Sequence, residues 1–387
     1  MTPQLLLYNV ICIGFFLFAL VAFFNPIKVN MVANKWFSLF LFSVGCSLLN
    51  TIIDDAKAGE SYKQLMAFNE LSRFAMAPGL YLSILHFTLP NKTFKRWEYL
   101  HFIPFALFFC YMSPVAFIPG GTTWGNPNSL PPLVRTIMGL MMFVVIKAQM
   151  LVYWILAWNK LRQHQHNIRL VNSNTAAVNL NWLKYLLLGI ALMLLIWYSS
   201  VFFKIQLVIT YAPFTYLACA LVIFYFLLAQ KEIYPFDEPA LADIDLIIHE
   251  QKETDITRKR IPDQKTDMLK NKLEELMQNE KPYLNNELSL PQLAQEMAIS
   301  THELSFLLND GFGMNFFQYI NKYRVEEAKQ LMLSEKYRHL NILGIAYSAG
   351  FNSKTTFNTT FKKETGLAPS QFIQQAKTQD TAIATWQ

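Results

Sequence analysis

Acidic side chains are nearly missing from the first 230 residues of this chain, where 5 Asp and Glu stand against 15 Lys and Arg, a net charge of +10. A water-facing surface of that size needs more carboxylates, since soluble proteins devote about a quarter of their residues to charge. Residues 231–387 hold 22 acids and 18 bases, a net −4, which completes the overall +6. The two parts therefore face different solvents. Only 16% of the 387 residues are charged while 53% are apolar and 15% aromatic, and the mean hydropathy is +0.23. These shortages exclude a disordered chain, a single soluble domain and a secreted disulfide scaffold.

Cysteine is scarce too. Cys12, Cys46, Cys110 and Cys219 each sit in an apolar run, with neither the spacing nor the setting of a metal site or disulfide frame. The apolar runs carry no His-x-x-Glu-His, His-Glu-x-x-His or Gly-x-Ser-x-Gly motif and no series of acids, so a membrane protease, hydrolase or proton pump has no footing. No catalytic residue, metal ion or cofactor is expected, and the chain does not read as an enzyme.

Long apolar runs are abundant. A bilayer core of about 30 Å takes about 20 apolar residues as a helix, and seven such stretches run near 5–24, 36–53, 68–89, 100–118, 133–158, 182–203 and 208–228. No Lys or Arg precedes the first, so it is expected to stay as a span rather than be cleaved as a leader. The loops 25–35, 91–98 and 159–181 carry net charges of +2, +2 and +3; the alternate loops carry −1 at 54–67, zero at 119–132 and +1 at the turn of Lys204. The positive-inside rule then puts the N-terminus outside and everything after Leu228 in the cytoplasm, a multi-pass protein of the inner membrane. Charges at depth mark functional sites by default. Glu70 and Arg73, one turn apart on the third stretch, and Lys147, deep in the fifth, are candidates for a membrane ligand site or switch; the rival reading is a local ion pair and a snorkelling lysine.

The apolar density collapses over 231–264, a linker whose Leu241, Ile244, Ile247 and Ile248 have helical spacing and whose Arg258, Lys259 and Arg260 form a basic knot. From 265 to 378 every segment reads helical, followed by a short tail, 379–387. Ser289 with Gln292 and Ser300 with Glu303 form two capping boxes around a turn at 298–300. A longer helix is expected over 316–333. Asn341 caps a further short helix, Gly350 turns it, and Ser353 caps a last one ending at Gly366. The fold class is thus all-α: a seven-helix transmembrane bundle and a cytoplasmic double helix-turn-helix domain.

The stretch Ile345-Ala-x-x-x-Gly350-Phe351-x-Ser353-x-x-x-Phe357-x-x-x-Phe361-Lys-Lys-Glu-Thr-Gly366-x-x-Pro369-Ser-x-Phe372 resembles the signature of the AraC/XylS family of bacterial transcription regulators. Leu290-x-x-Leu293-Ala294, Ile299-Ser300, Gly313 and Tyr319-Ile-Asn-x-x-Arg324-x-x-x-Ala328 resemble its upstream half. The resemblance covers under a third of the chain. It implies two recognition helices held by a rigid linker helix and entering successive major-groove faces of double-stranded DNA. It also assigns base reading to His302, Ser305 and Phe306 in the first unit and to Lys354, Thr355, Asn358 and Thr359 in the second. Asn suits adenine, Lys the guanine acceptors, and a Thr methyl the thymine methyl. Lys336, Arg338, Lys362 and Lys363 suit phosphates, which position without specifying.

This chain has Phe306 and Thr359 where family members commonly carry a basic residue, and Ala368 where a Thr cap is common. The first unit, 287–310, holds four acids and no Lys or Arg, whereas 336–363 holds five basic residues and no acid. The second unit is therefore expected to dominate attraction to DNA, and pairing into a homodimer in the membrane plane to restore affinity. The combined reading is a membrane-bound one-component transcription regulator whose spans sense a small-molecule or membrane signal amid membrane lipid. The alternative is a membrane transporter, or a signalling scaffold with a helical cytoplasmic domain that does not bind DNA.

Overall fold

The computed structural model describes residues 3–59, 61–89, 95–117, 131–175, 180–203, 206–229, 244, 247 and 263–384. They form helices and no strand, with one isolated antiparallel bridge between Asn172 and Ser289. The chain divides into two compact units: residues 1–163 with 180–233, and residues 164–179 with 234–387.

The first unit contains α1 (Pro3–Phe24), α2 (Met31–Asp55), α3 (Lys63–Thr88), a 3-10 turn (Arg96–Phe102) leading into α4 (Ile103–Phe117), most of α5 (Pro132–Val171), α6 (Asn181–Phe203) and α7 (Gln206–Leu228). A helix stands at each of the seven apolar stretches. Among the described residues, two are by length and composition long and apolar enough to cross a membrane, Leu5–Phe24 and Met31–Asp55, where seven spans were expected; Asn181–Leu195 and Pro213–Leu228 are shorter apolar segments. Helices α2 and α3 approach so closely that a Cβ at Gly79 would meet the Phe40 amide nitrogen at 3.2 Å. Polar side chains lie inside: Ser38 Oγ donates to Ala19 O (2.7 Å) and Gln149 Nε2 to Phe74 O (3.1 Å). Large apolar side chains lie outside, with Leu6, Val10, Ile13, Leu17, Leu20 and Phe24 of α1 all more than half exposed.

The segment 159–181, expected as a loop, is helical to Val171. Its run Asn-Lys-Leu-Arg-Gln-His-Gln-His has no Gly or Pro and is rich in straight-chain helix formers, so nothing stops α5 until Asn172 and Ser173. Most of the linker, its basic knot Arg258–Arg260, and the loop 119–130 lie outside the described residues.

The second unit holds α8 (Asp263–Asn279), a 3-10 turn (Pro282–Leu284), α9 (Leu290–Glu296), α10 (Thr301–Phe306), a π-turn (Leu307–Gly311), α11 (Phe316–Leu333), a further 3-10 turn (Glu335–Tyr337), α12 (Ile342–Ser348), α13 (Lys354–Thr365) and α14 (Pro369–Ala384). Helix α11 serves two cores. Phe316, Tyr319 and Ile320 close over Leu290, Leu293, Leu304 and Leu308. Val325, Ala328 and Leu331 close over Ile345, Ala346, Phe357 and Phe361. Leu170 and Val171 from the end of α5, and Ile244 and Ile247 from the linker, are buried in the first of these cores, as the helical spacing of the two isoleucines suits.

Candidate nucleic-acid interface

Local chemistry sets each helix of the two units. Ser300 N–H donates to Glu303 Oε2 (3.1 Å) while Ser300 Oγ accepts from Glu303 N–H (3.1 Å), a complete capping box at the start of α10. The Ser289 box is half made: its N–H donates to Gln292 Oε1 (3.0 Å), but its buried hydroxyl has no partner among the described residues. Asn315 and Gln318 form a further full box at the start of α11, which the sequence reading did not single out. Asn341 Oδ1 accepts from Gly344 N–H (2.8 Å) and Ser353 Oγ from Thr356 N–H (3.4 Å).

The turns of the two units are equivalent. Ile299 N–H donates to Ala294 O (3.1 Å) as Phe351 N–H donates to Ala346 O (3.0 Å), closing a six-residue loop at the end of each first helix. The residue at the left-handed position is Gly350 (φ 87°) in one and Ala298 (φ 52°) in the other. A β-carbon there carries a penalty of about 1 kcal/mol, and exposed Ala298 recovers nothing through packing. Ala298→Gly is therefore expected to stabilise the first unit by up to about 0.5–1 kcal/mol, after allowing for glycine's freer unfolded chain, measurable as a raised denaturation midpoint.

Helix α13 separates its faces sharply. Phe357 and Phe361 are fully buried, while Lys354, Thr355, Asn358, Thr359, Lys362 and Lys363 are all exposed. These six recur at i, i+1, i+4, i+5, i+8 and i+9, one continuous stripe. Lys336 and Arg338 are also exposed; Lys336 Nζ lies 5.5 Å from the Tyr337 ring centre, and Arg338 pairs with Glu335 at 3.1 Å across open solvent, a contact worth little. In α10, His302 and Phe306 are partly exposed, whereas Ser305 is buried and its hydroxyl accepts from Asn309 Nδ2 at 3.5 Å.

The first unit is less acidic in space than along the chain. Lys265 of α8 donates to Glu303 Oε1 at 2.8 Å and, with the Ser300 backbone, holds that carboxyl below its usual pKa. Lys272 donates to Met297 O (2.8 Å), a cation at the C-terminal end of α9. The sequence reading missed these lysines because they lie before the unit, on a helix folded back along it.

Arg324, quoted only as a motif position, turns out to be the joint of the unit. Its side chain is 1% exposed. Nε donates to Tyr283 O (2.7 Å); Nη1 to Ser173 O (3.4 Å) and Asn321 Oδ1 (3.4 Å); Nη2 to Ser173 Oγ (3.0 Å) and Asn285 O (2.7 Å). Five N–H donors meet five neutral acceptors. Burial pushes its pKa down to about 9, which leaves it protonated at neutral pH. Its guanidinium carbon also lies 5.9 Å from the centre of the Phe351 ring, so one side chain ties α11 to the 282–285 turn, to the second unit and to the segment after α5.

A pair of helix-turn-helix units sharing one linker helix, with an exposed Lys/Thr/Asn stripe on the second recognition helix, defines a DNA-binding fold. The Helix-turn-helix domain family matches residues 293–375. The chain is 31% identical over 97 residues to the probable transcription factor PqrA of Proteus vulgaris, covering 25% of this chain and 77% of that one. It is 32% identical over 85 residues to the transcriptional activator RhaS of Mannheimia succiniciproducens, 22% of this chain and 31% of the relative. It is also 32% identical over 90 residues to the uncharacterized regulator SACOL0084 of Staphylococcus aureus, 23% and 12%. The chain thus spans less than a third of RhaS and an eighth of SACOL0084. No solved structure matches it. Through its C-terminal unit the chain belongs to the AraC-type helix-turn-helix family, a family of DNA-binding transcription regulators and not of enzymes.

Proposed function

We propose that the chain is a membrane-embedded one-component transcription regulator. Its apolar unit crosses the cytoplasmic membrane seven times, N-terminus outside and C-terminus in the cytoplasm, and a signal sensed there controls DNA binding by the second unit. The many exposed large apolar side chains of α1, α6 and α7, such as Leu17, Leu195 and Leu221, support lipid contact.

The observation that carries this reading is the joint after α5. Its residues up to 163 belong to the first unit, and 164–175 belong to the second. There Leu170 and Val171 are buried in the core, Arg169 lies over Phe317, and Ser173 donates to Leu288 O (2.5 Å) and accepts from Arg324. A signal that moved residues 164–175 would act through these contacts on α11, the helix between the two recognition helices. The joint is imperfectly satisfied, because buried Asn172 Nδ2 and Ser289 Oγ lack partners among the described residues. Each unmade bond costs about 1–3 kcal/mol, which lowers the energy needed to release the strap.

Base reading falls to Lys354, Thr355, Asn358 and Thr359, with the partly exposed His302 and Phe306 contributing from α10 while buried Ser305 supports that helix from within, and Lys336, Arg338, Lys362 and Lys363 hold phosphates. Lys354→Ala with Asn358→Ala is expected to weaken specific binding by about 2–6 kcal/mol while non-specific binding falls far less, read by gel shift on operator and scrambled DNA. Equal losses on both would remove these two from base readout. Two copies side by side in the membrane would raise effective concentration at paired half-sites. Chromosomal occupancy by the intact protein tests the whole reading, together with a reporter fused after Gln387; an extracytoplasmic Gln387 overturns it.

A further inference from the structure

Helix α10 presents three partly exposed side chains, His302, Glu303 and Phe306, among the buried Thr301, Leu304 and Ser305. One of the three is an acid, on the face that the DNA-binding reading turns toward phosphates. The fold accounts for its presence, because Glu303 completes the capping box with Ser300. In the second helix-turn-helix the matching residue after the cap Ser353 is the uncharged Thr356. The two recognition helices thus differ by a negative charge at the same place, and a carboxylate facing phosphate lowers affinity.

That charge is met from outside the helix-turn-helix. Lys265 Nζ of α8 lies 2.8 Å from Glu303 Oε1, with the two side chains 46% and 31% exposed. An ion pair so open to solvent adds little to stability. Nor does α8 need it for docking, since Leu269, Leu273 and Met277 are buried in the core and Lys272 donates to Met297 O at 2.8 Å. The pair matters instead for the charge that α10 shows to its surroundings.

We propose that Lys265 is a positioning residue for DNA binding: it holds the Glu303 carboxylate in a neutral pair, so that α10 meets the phosphate backbone without repulsion. Helix α8 thereby belongs to the DNA-binding machinery although it lies outside both helix-turn-helix motifs. The proposal deepens the DNA-binding reading above and rests on it.

The test varies the charge of the pair while keeping the cap. Glu303→Gln removes the carboxylate yet leaves the box intact, because Gln serves at that position as well. The full chain in phosphatidylcholine nanodiscs is titrated into a fluorescein-labelled duplex of scrambled sequence and followed by anisotropy. Lys265→Gln is expected to weaken binding by about threefold to tenfold at low salt, an effect that shrinks as added salt screens the bared carboxylate. Glu303→Gln is expected to tighten binding by a similar factor, and the double variant to return to within about twofold of the wild-type chain. Unchanged affinity in Lys265→Gln overturns the proposal, as does a loss that salt does not diminish. A double variant as weak as Lys265→Gln alone overturns it too, since Lys265 would then act as a strut for α8 and not through Glu303. A wild-type chain that binds no duplex overturns the DNA-binding reading, and the proposal with it.

Discussion

Arg324→Met is expected to destabilise the helix-turn-helix unit by about 3–5 kcal/mol, since several buried neutral acceptors lose their donor at about 1–3 kcal/mol each. The methionine fills most of the volume, so the loss is one of hydrogen bonds rather than of packing. Tyr283 O, Asn285 O, Ser173 O and Ser173 Oγ all lose a donor in a site closed to solvent. Against a total stability of about 5–15 kcal/mol this is a large share. Hydrogen exchange of the full chain should show protection across α9–α13 falling by roughly a hundredfold to a few thousandfold. Ser173→Ala removes one of those acceptors and the bond to Leu288, and its effect should not add to that of Arg324→Met. A double-mutant coupling of about 0.5–3 kcal/mol is expected, and strict additivity would mean that the strap after α5 sits on the unit without bearing on Arg324. The same contacts predict that a fragment starting at residue 262, which lacks both Ser173 and the buried Ile244 and Ile247, is less protected than the unit within the whole chain.

The helices and their punctuation were legible in the sequence because they depend on near neighbours. Ser300 with Glu303, Asn341, Ser353, Gly350 and Gly366 all act within a few residues, and each cap or turn forms as spacing predicts. The exposed stripe of α13 was legible for the same reason, since a helix sorts its faces by period. What the sequence did not disclose joins residues far apart. The Ser173–Arg324 contact spans 151 positions and Lys265–Glu303 spans 38, and no local rule points to either. The burial of Ser305 likewise depends on α10 running directly into a π-turn at Leu307, so that its Oγ meets Asn309. The end of α5 lies beyond the charged residues for a different reason: charge marks where a chain leaves an apolar environment, not where its helix stops. Lys160, Arg162 and Arg169 mark the first and are no obstacle to helix.

Gly350→Ala is expected to cost about 3 kcal/mol or more, and Gly366→Ala about 1 kcal/mol, although both glycines hold left-handed backbone, φ 87° and 76°. The shared part is the penalty of a β-carbon at positive φ. The difference lies in what that carbon meets. At Gly366 nothing stands within 4 Å. At Gly350 it would collide with the Tyr283 carbonyl oxygen, and would come within 3.0 Å of Leu284 Cα and of Arg324 Nε. Backbone cannot yield as a flexible side chain does, so the 282–285 turn must move, and with it the acceptor that Arg324 Nε uses at 2.7 Å. The damage should therefore reach beyond the second helix-turn-helix. Hydrogen exchange in Gly350→Ala is expected to rise on α11 and around Tyr283 as well as on α12 and α13, whereas Gly366→Ala should disturb only the α13–α14 junction. Equal costs for the two variants would mean that conformational preference accounts for Gly350 entirely, and that the second helix-turn-helix and the Arg324 joint are independent of one another.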